Sequence, residues 1–378
     1  MPYEPAVLEQ VLEEAVAPRA ADVDKHGRFP HQALGALGDA GLLGLVSARE
    51  VGGQGAGLPA AVDVVRALAQ QCASTAMVTC MHYAATAVVE AHGTTALREE
   101  IARGRHLTTL AFSEAGSRSH FWAPVGTAAP DDGDVRLDAH KSWVTSAGAA
   151  DSYVWSSRPI AAEGMSTLWL VPADAPGLKV MGGFDGLGLR GNDSSPVLAE
   201  GVLVRGDAML GDDGAGFDLM LGTVLPWFCL MNAAFSVGIM QATTARTAAH
   251  AGGTRLAHLG DCLADLPTIR AYIARMRIKT DQAQTLLADA CEAVTLGRAD
   301  AQLRVLEAKA AAGEAATEVT DLGMRVCGGA AFRKDVGVER HFRDARAATV
   351  MAPTTDVLYD LIGRALCGLP LFPGQEKA

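Results

Sequence analysis

Several motifs that would point to a common chemistry are missing from this sequence of 378 residues. None of its seven cysteines is paired with another in the Cys-x-x-Cys spacing of zinc sites, and the odd number favours reduced thiols in a cytosolic protein. The sequence also contains no Walker loop and no His-Glu-x-x-His, which excludes the commonest nucleotide hydrolases and metalloproteases. We therefore expect neither a metal ion nor a disulfide framework.

Long apolar runs and an excess of basic residues are missing as well. No apolar run reaches the roughly 20 residues that a membrane helix needs. The first residues, MPYEPAVLEQVLEEAVAPRAAD, are acidic and amphipathic, unlike a signal peptide. The 43 acidic residues outnumber the 32 basic ones and give a net charge of -11, whereas nucleic acids and anionic membranes favour a basic face. We expect neither as a partner.

The length and the patterning predict an α+β protein with more than one domain. Apolar residues at helical spacing fill residues 1–105, so an all-helical N-terminal domain is expected there. Residues 106–213 are richer in Gly, Asp and Pro turns between short alternating runs, which predicts a central β-barrel or β-sandwich domain. Alanine-rich and leucine-rich helical patterns return in residues 214–378 and predict a C-terminal four-helix bundle.

The strand predictions rest on five segments in the middle of the chain. Each alternates apolar with polar residues, or is a short apolar run, between turn residues. The segments are RLDAHKSWVTS, DSYVWSS, STLWLVPA, GLKVM and PVLAEGVLV.

The sequence contains one Gly-x-Gly-x-x-Gly motif, from Gly186 to Gly191. In a strand-turn-helix context such a motif binds a dinucleotide pyrophosphate at the N-terminus of the helix. Here the strand-like NDSSPVLAEGVLV follows, so no helix is expected at this position. We therefore interpret the motif as a turn and not as a Rossmann fingerprint.

Two regions carry a resemblance to a known family. The first is VCGGAAFRKDVGVERHFRDARAATVMAPT, residues 326–354, and the second comprises TLAFSEAGSRSHFW and HKSWVTSAGAADSYVW in the predicted β-domain. Both resemble segments of acyl-CoA dehydrogenases, and the similarity extends over nearly the whole chain. It implies an acyl-CoA dehydrogenase-like fold, FAD as cofactor, and a homotetramer or at least a dimer, while the cysteine usage predicts a cytoplasmic location. It also implies an acyl thioester of CoA or a carrier protein as substrate, and a flavoprotein or O2 as electron acceptor.

By that resemblance the β-domain holds the flavin ring. Phe112 and Ser113 would offer backbone and hydroxyl groups to the ring edge, and Ser119 would lie between flavin and acyl chain. Trp143 would cover one face of the ring, and Thr145 would form a hydrogen bond near its reactive nitrogen. An aromatic wall with a few fixed donors is also what flavin chemistry needs on physical grounds.

The resemblance assigns further cofactor contacts to the C-terminal part of the chain. Gly328 and Gly329 would let the backbone approach the flavin of a neighbouring subunit, and Arg255 would reach that subunit's pyrophosphate. Arg343-Asp344 would form a buried turn. A last helix is predicted to begin near Pro353, and its first amide groups, near Thr354 and Asp356, would suit a phosphate or the adenosine.

The family's catalytic carboxylate is missing. Ala352 stands where the family has a glutamate, and Pro226, Trp227 and Phe228 stand where some members place an alternative one. Alanine cannot accept a proton. His82, on an apolar helix that would line the acyl pocket, is the remaining candidate base, although a lone histidine on such a helix is more often a core residue.

Three functions stay open. The first is oxidation of the CH–CH bond of an acyl thioester with a non-standard base. The second is a monooxygenase, desulfinase or decarboxylase reaction on the same fold, which needs no proton abstraction by the protein. The third is a flavoprotein that has lost its chemistry, because a fold alone does not fix a reaction.

Overall fold

Backbone contacts divide the computed structural model into two compact units. It describes residues 3–117, 120–258 and 260–372. The first unit comprises Met1–Val64, Ser74–Gly186 and Arg190–Phe228, and the second comprises Val65–Ala73, Leu187–Leu189 and Cys229–Ala378. The expected boundaries at residues 105 and 213 stay a prediction.

The N-terminal part of the chain is helical, as predicted. Its helices are α1 (Pro5–Val11), α2 (Ala20–His26), α3 (His31–Asp39), α4 (Leu58–Gln71), α5 (Ala73–His92) and α6 (Thr95–Ala102). Helix α2 ends at Gly27 with φ 60°, and α3 is followed by Gly41 with φ 70°. Both angles lie in the left-handed region that glycine adopts most readily, which explains why the helices stop there.

Eight strands of the first unit form two sheets. They are β1 (Thr108–Ala111), β2 (Thr127–Asp131), β3 (Asp134–Val144), β4 (Ser152–Ser157), β5 (Thr167–Pro172), β6 (Leu178–Val180), β7 (Ser195–Arg205) and β8 (Met209–Leu210). One sheet has the order β1-β4-β5-β8 and the other β2-β3-β7-β6. Strands β1 and β4 are parallel, whereas the other neighbours are antiparallel.

A shared core joins the two sheets. Leu137 of β3 and Val197 of β7 belong to the same buried cluster as Trp155 of β4 and Trp169 of β5. The two tryptophans have no exposed surface, and each stabilises the domain by about 4–6 kcal/mol if roughly 150–250 Å² is removed from water. The predicted β-sandwich is confirmed.

The connection between β4 and β5 is held by the carboxylate of Asp213, a residue that lies outside this connection in the sequence. Asp213 accepts hydrogen bonds from the N–H groups of Ile160, Ala161 and Ala162 at 2.9 Å and from the Thr167 hydroxyl at 2.6 Å. Although burial acts to raise the pKa of Asp213, these hydrogen bonds lower it to about 2. The conformation of the connection is therefore fixed by one distant residue.

Long helices make up most of the second unit. The short α7 (Gly216–Leu219) and the start of α8 (Leu225–Gly253) still belong to the first unit. After α8 the second unit has the hairpin β9 (Arg255–Leu256) and β10 (Asp261–Cys262), and then α9 (Pro267–Leu296), α10 (Ala301–Cys327), α11 (Val338–Val350) and α12 (Thr355–Leu366). Helix α10 packs against α9, α11 and α12. The predicted helical C-terminal region is confirmed. Arg343 and Asp344 lie within α11, however, so the expectation of a buried turn there was wrong.

The glycine motif is a packing feature. Turns and bends occupy Gly186 to Gly191, and strand β7 follows. A Cβ atom on Gly191 would lie 2.6 Å from the Arg28 carbonyl oxygen, and one on Gly188 would lie 2.5 Å from that of Arg343. The Asp344 carboxylate accepts a hydrogen bond from the Leu189 N–H at 2.7 Å, which holds Leu187–Leu189 on α11.

One helical stretch is longer and more apolar than we expected from the sequence. Gly216–Gly253, 38 residues long, could cross a membrane by length and composition. Within its most apolar window, however, 83% is buried inside the protein. Core helices of globular proteins pass the same test, so this stretch is weak evidence for a membrane span.

Candidate flavin site

Four of the predicted cofactor-binding residues come together at one end of the β-sandwich. The Ser142 N–H donates to the Ser113 carbonyl at 2.8 Å, and the Thr109 hydroxyl donates to the Thr145 carbonyl at 2.9 Å. These two hydrogen bonds join β1 and the chain just after it to the end of β3 and the residue that follows it. The residues brought together are Phe112, Ser113, Trp143 and Thr145.

Trp143 has an unusual backbone conformation and an exposed side chain. On β3, Lys141 pairs with Val197 of β7 and Val144 pairs with Ser195, so β3 has one residue more than its partner between these pairs. At this bulge Trp143 has φ 57°, and 71% of it is exposed. A bulky residue in the left-handed region is rare, and such strain is concentrated at functional sites.

Of the other three residues of this group, Phe112 and Thr145 are buried. Phe112 is 6% exposed and stacks on Phe121 with ring centroids 6.3 Å apart. Thr145 is 1% exposed, and its hydroxyl lies 3.2 Å from the Ser194 hydroxyl. Ser113 is partly buried. Ser119, which we also predicted as a site residue, lies outside the described residues.

A buried ion pair is formed by two residues close in sequence to the predicted flavin residues, Glu114 and Lys141. The Lys141 ammonium is 2.5 Å from the Glu114 carboxylate, and the two side chains are 0% and 4% exposed. Lys141 also donates to the carbonyl and the hydroxyl of Ser156 at 2.7 and 2.9 Å. Burial lowers the pKa of Lys141 to about 8, against the attraction of Glu114, so the ammonium keeps its proton at neutral pH.

His82 is fully buried, and both of its ring nitrogens contact the backbone. Nε2 lies 3.1 Å from the Leu43 carbonyl, and the Thr108 N–H points to Nδ1 at 3.3 Å. A carbonyl can only accept and an N–H can only donate, so these contacts select the neutral tautomer with its proton on Nε2. Burial lowers the pKa of His82 to about 4. These surroundings are those of a core histidine and do not support its prediction as catalytic base.

The predicted cofactor contacts of the second unit lie in separate places. Gly328, at the end of α10, has φ 56° and is exposed with Gly329, and a Cβ atom on either would have no neighbour within 4 Å. Gly328 lines a largely apolar groove of about 630 Å³, whereas Asp356 lines another of about 870 Å³. Thr354 precedes the first residue of α12, and Arg255 is exposed on β9.

The turn that contains Ala352 is held by a buried lysine. Lys309 is 1% exposed, and its ammonium donates to the carbonyls of Ala348, Met351 and Pro353 at 3.2, 3.1 and 2.7 Å. The Asn232 amide lies 3.8 Å from the Met351 sulfur. These two partners of the turn are an ammonium and an amide, neither of which is a carboxylate.

Comparison with known proteins identifies the family. Three domain models match the chain: acyl-CoA dehydrogenase N-terminal domain at residues 6–104, middle domain at 109–202 and C-terminal domain at 214–367. The chain belongs to the acyl-CoA dehydrogenase family. A probable acyl-CoA dehydrogenase of Mycobacterium leprae is 28% identical over 371 residues, which cover 96% of this chain and 94% of the relative.

Solved structures share the fold. The FAD complex of PigA matches with a TM-score of 0.88 and 19% identity, and covers 96% of this chain and 97% of that one. The prolyl acyl carrier protein oxidase AnaB matches with a TM-score of 0.87 and 19% identity, over 96% and 98%. The acyl-CoA dehydrogenase-like fold is therefore confirmed, and the match to the family models makes the protein an acyl-CoA dehydrogenase-like flavoenzyme. Its own residues fit a flavin, because the exposed indole of Trp143 offers a flat aromatic wall.

Sequence reasoning missed the residues that support the site. Glu114 and Lys141 both lie inside the two segments that carry the family resemblance, and a charged residue next to a predicted site residue was the available signal. Lys309 offered a weaker one, as a single cation within an alanine-rich stretch of α10.

Proposed function

We propose that this flavoenzyme oxidises the CH–CH bond of an acyl thioester. Residue 352 is alanine and cannot be the base, so the base is a group elsewhere in the protein. The observation that supports this most directly is the outward-facing Trp143, on a strained bulge beside Phe112, Ser113 and Thr145. These are the residues that the family resemblance assigns to the flavin ring.

The chain's own residues would divide the work as follows. FAD, when bound, supplies the hydride acceptor. Trp143 covers one face of the ring and excludes water from it, while the backbone after β1 offers hydrogen-bonding groups to its edge. Lys309 fixes the turn at Ala352, where the family carries its base and this chain has only a methyl group.

The experiment is an anaerobic titration of the FAD-loaded enzyme with a panel of saturated acyl thioesters. Rapid bleaching of the flavin's visible absorbance would support dehydrogenation, because the substrate then loses both a proton and a hydride. The product should be the 2,3-unsaturated thioester in an amount equal to the reduced flavin. A purified protein that binds no FAD would favour the third function, a flavoprotein without chemistry.

One observation favours the second function. Residue 352 is alanine, whereas a carboxylate is needed there only if the protein itself removes the proton. A desulfinase or decarboxylase reaction breaks a C–S or C–C bond of the substrate in place of the C–H bond, and a monooxygenase reaction takes an oxygen atom from O2. None of the three needs the protein to remove that proton. A thioester that shifts the flavin spectrum without bleaching it would move this reading to first place, and oxygen uptake or release of sulfinate or CO2 would then identify the reaction.

The carrier, the oligomer and the electron acceptor belong to the same proposal. The similarity to a prolyl acyl carrier protein oxidase supports testing each acyl group on CoA and on a carrier protein side by side. The exposed Gly328-Gly329 backbone supports a homotetramer in which this segment reaches a neighbouring subunit's flavin. Sedimentation would test the oligomer. Turnover with O2 or with an electron-transfer flavoprotein would identify the acceptor, and we keep a cytoplasmic location as an expectation.

A further inference from the structure

Two charged residues behind the flavin site have no role in the proposed reaction, yet they contact both segments of the site. Glu114 follows Ser113 directly, and Lys141 lies two residues before Trp143. An antiparallel bridge pairs their backbones, and the ion pair joins their side chains. The bridge and the ion pair therefore add to the two hydrogen bonds that already connect the flavin segments.

The hydrogen-bonding capacity of the pair is used on both sides. The Lys141 ammonium donates three hydrogen bonds, one to the Glu114 carboxylate and one to each of the two oxygens of Ser156. The second carboxylate oxygen of Glu114 accepts from the N–H groups of Val125 and Gly126 at 2.6 and 2.9 Å. A buried pair costs stability unless its remaining groups are satisfied in this way. Such a pair contributes little more stability than apolar residues of the same volume would, so we infer that it serves to fix the positions of the two segments.

The first consequence concerns the bulge of β3. Up to Lys141 every second residue of the strand points inward, and regular alternation would place Trp143 on the same inner face. Instead, Lys141 is anchored inward by Glu114 and Ser156, the extra residue follows at once, and Trp143 turns outward. The anchor therefore fixes the place along the strand where the alternation changes.

The second consequence concerns the segment between Glu114 and Gly126. The Glu114 side chain binds the far end of this segment, so one carboxylate ties both ends together. Gly126 fits tightly, because a Cβ atom there would lie 2.5 Å from the Ala139 side chain and 3.0 Å from the carboxylate itself.

We propose that Glu114 and Lys141 are positioning residues that set the bulge at Trp143 and the ends of the 114–126 segment for the flavin. The proposal rests on the proposed function only in naming FAD as the group that is positioned. It requires no contact between either charged residue and the flavin.

The test compares Lys141→Met, Glu114→Gln and the double variant E114Q/K141M with wild type. Lys179→Met is the matched control, because Lys179 forms an exposed pair with Glu200 at 2.8 Å on the neighbouring strands β6 and β7. Single variants leave one buried charge without its partner and are expected to lose stability. The double variant carries no such charge and keeps an acceptor for Val125 and Gly126, so it is the variant in which folding and positioning can be separated.

Two readouts are needed. In the FAD-free protein, hydrogen exchange at Gly126 and at residues 142–144 is expected to become about tenfold faster or more in Lys141→Met and in the double variant. In the loaded protein, the Kd for FAD is expected to rise about tenfold, with a shifted flavin spectrum, while Lys179→Met stays within about twofold of wild type.

The outcomes are distinct. A folded double variant with wild-type exchange at residues 142–144, wild-type FAD affinity and an unchanged spectrum would overturn the proposal, since the pair would then be structural only. If the wild-type protein bound no FAD, the proposed function would fail. The exchange experiment on the FAD-free protein would still decide whether the pair holds the bulge.

Discussion

Replacing Trp143 with alanine and with glycine separates the strain of its backbone from the role of its indole. Both variants lose the same side chain. About 30% of Trp143 is buried, so removal of roughly 60 Å² from packing costs about 1.5 kcal/mol in either variant. The two variants then differ only at the backbone, where φ is 57°.

At that angle alanine costs about 1–2 kcal/mol, whereas glycine costs about 0.5–1 kcal/mol through the greater entropy of its unfolded chain. Trp143→Gly is therefore expected to be more stable than Trp143→Ala by about 0.5–1 kcal/mol. At an ordinary strand position the order would be reversed. Urea unfolding of the two FAD-free proteins measures the difference directly.

Both variants are expected to bind FAD about tenfold more weakly, because the loss of an aromatic wall and its burial amounts to about 1.4 kcal/mol or more. Asp132 provides the matched control, since it too has a left-handed backbone, φ 47°, but lies in the turn between β2 and β3. Its glycine variant should also be more stable than its alanine variant, with FAD affinity unchanged. An alanine variant at 143 as stable as the glycine variant would refute the strain argument, and unchanged FAD affinity would refute the position of the flavin.

Three further predictions concern buried groups. His82→Gln is expected to lose about 2–4 kcal/mol of stability, while the surviving enzyme keeps the shape of its pH–rate profile; a large loss of kcat at unchanged stability would instead make His82 the base. Lys309→Met is expected to lose about 2–4 kcal/mol and to speed hydrogen exchange in residues 351–355, whereas Lys279→Met, at a partly exposed ion pair, should stay within about 0.5 kcal/mol. Between pH 8 and 10.5 Lys141 binds more protons in the unfolded chain than in the folded one, so the unfolding free energy rises with pH in this range, by up to ~3 kcal/mol. Lys141→Met should flatten this rise, which is measured as the difference between the unfolding free energies at pH 7.5 and pH 9.5.

The regular elements could be predicted from the sequence because their signals are local. The five strand segments correspond to β3, β4, β5, β6 and β7, and helical spacing located the long helices. The bulge could not be predicted in this way, since alternation along HKSWV places Lys141 and Trp143 on one face. What changes the alternation is an ion pair with Glu114, 27 residues away in sequence.

The candidate site was predictable to the same extent. Residues 112, 113, 143 and 145 were predicted because a family resemblance names them, and hydrogen bonds from Ser142 to Ser113 and from Thr109 to Thr145 bring their segments together. The surroundings of His82 could not be predicted from the sequence, because its two backbone partners, Leu43 and Thr108, lie 39 and 26 residues away. Lys309 was overlooked for a similar reason, since the carbonyls that it binds lie 39–44 residues along the chain.

The Asp213 carboxylate also determines where this chain can be cut or lengthened. The segment that it holds, Ile160 to Ala162, has no stabilising turn sequence of its own and relies on three N–H groups converging on one distant acceptor. New termini opened there by circular permutation would separate the donors and release the β4–β5 connection. The Asp132-Gly133 turn closes its hairpin locally, so a peptide tag or a new pair of termini is better tolerated at that turn.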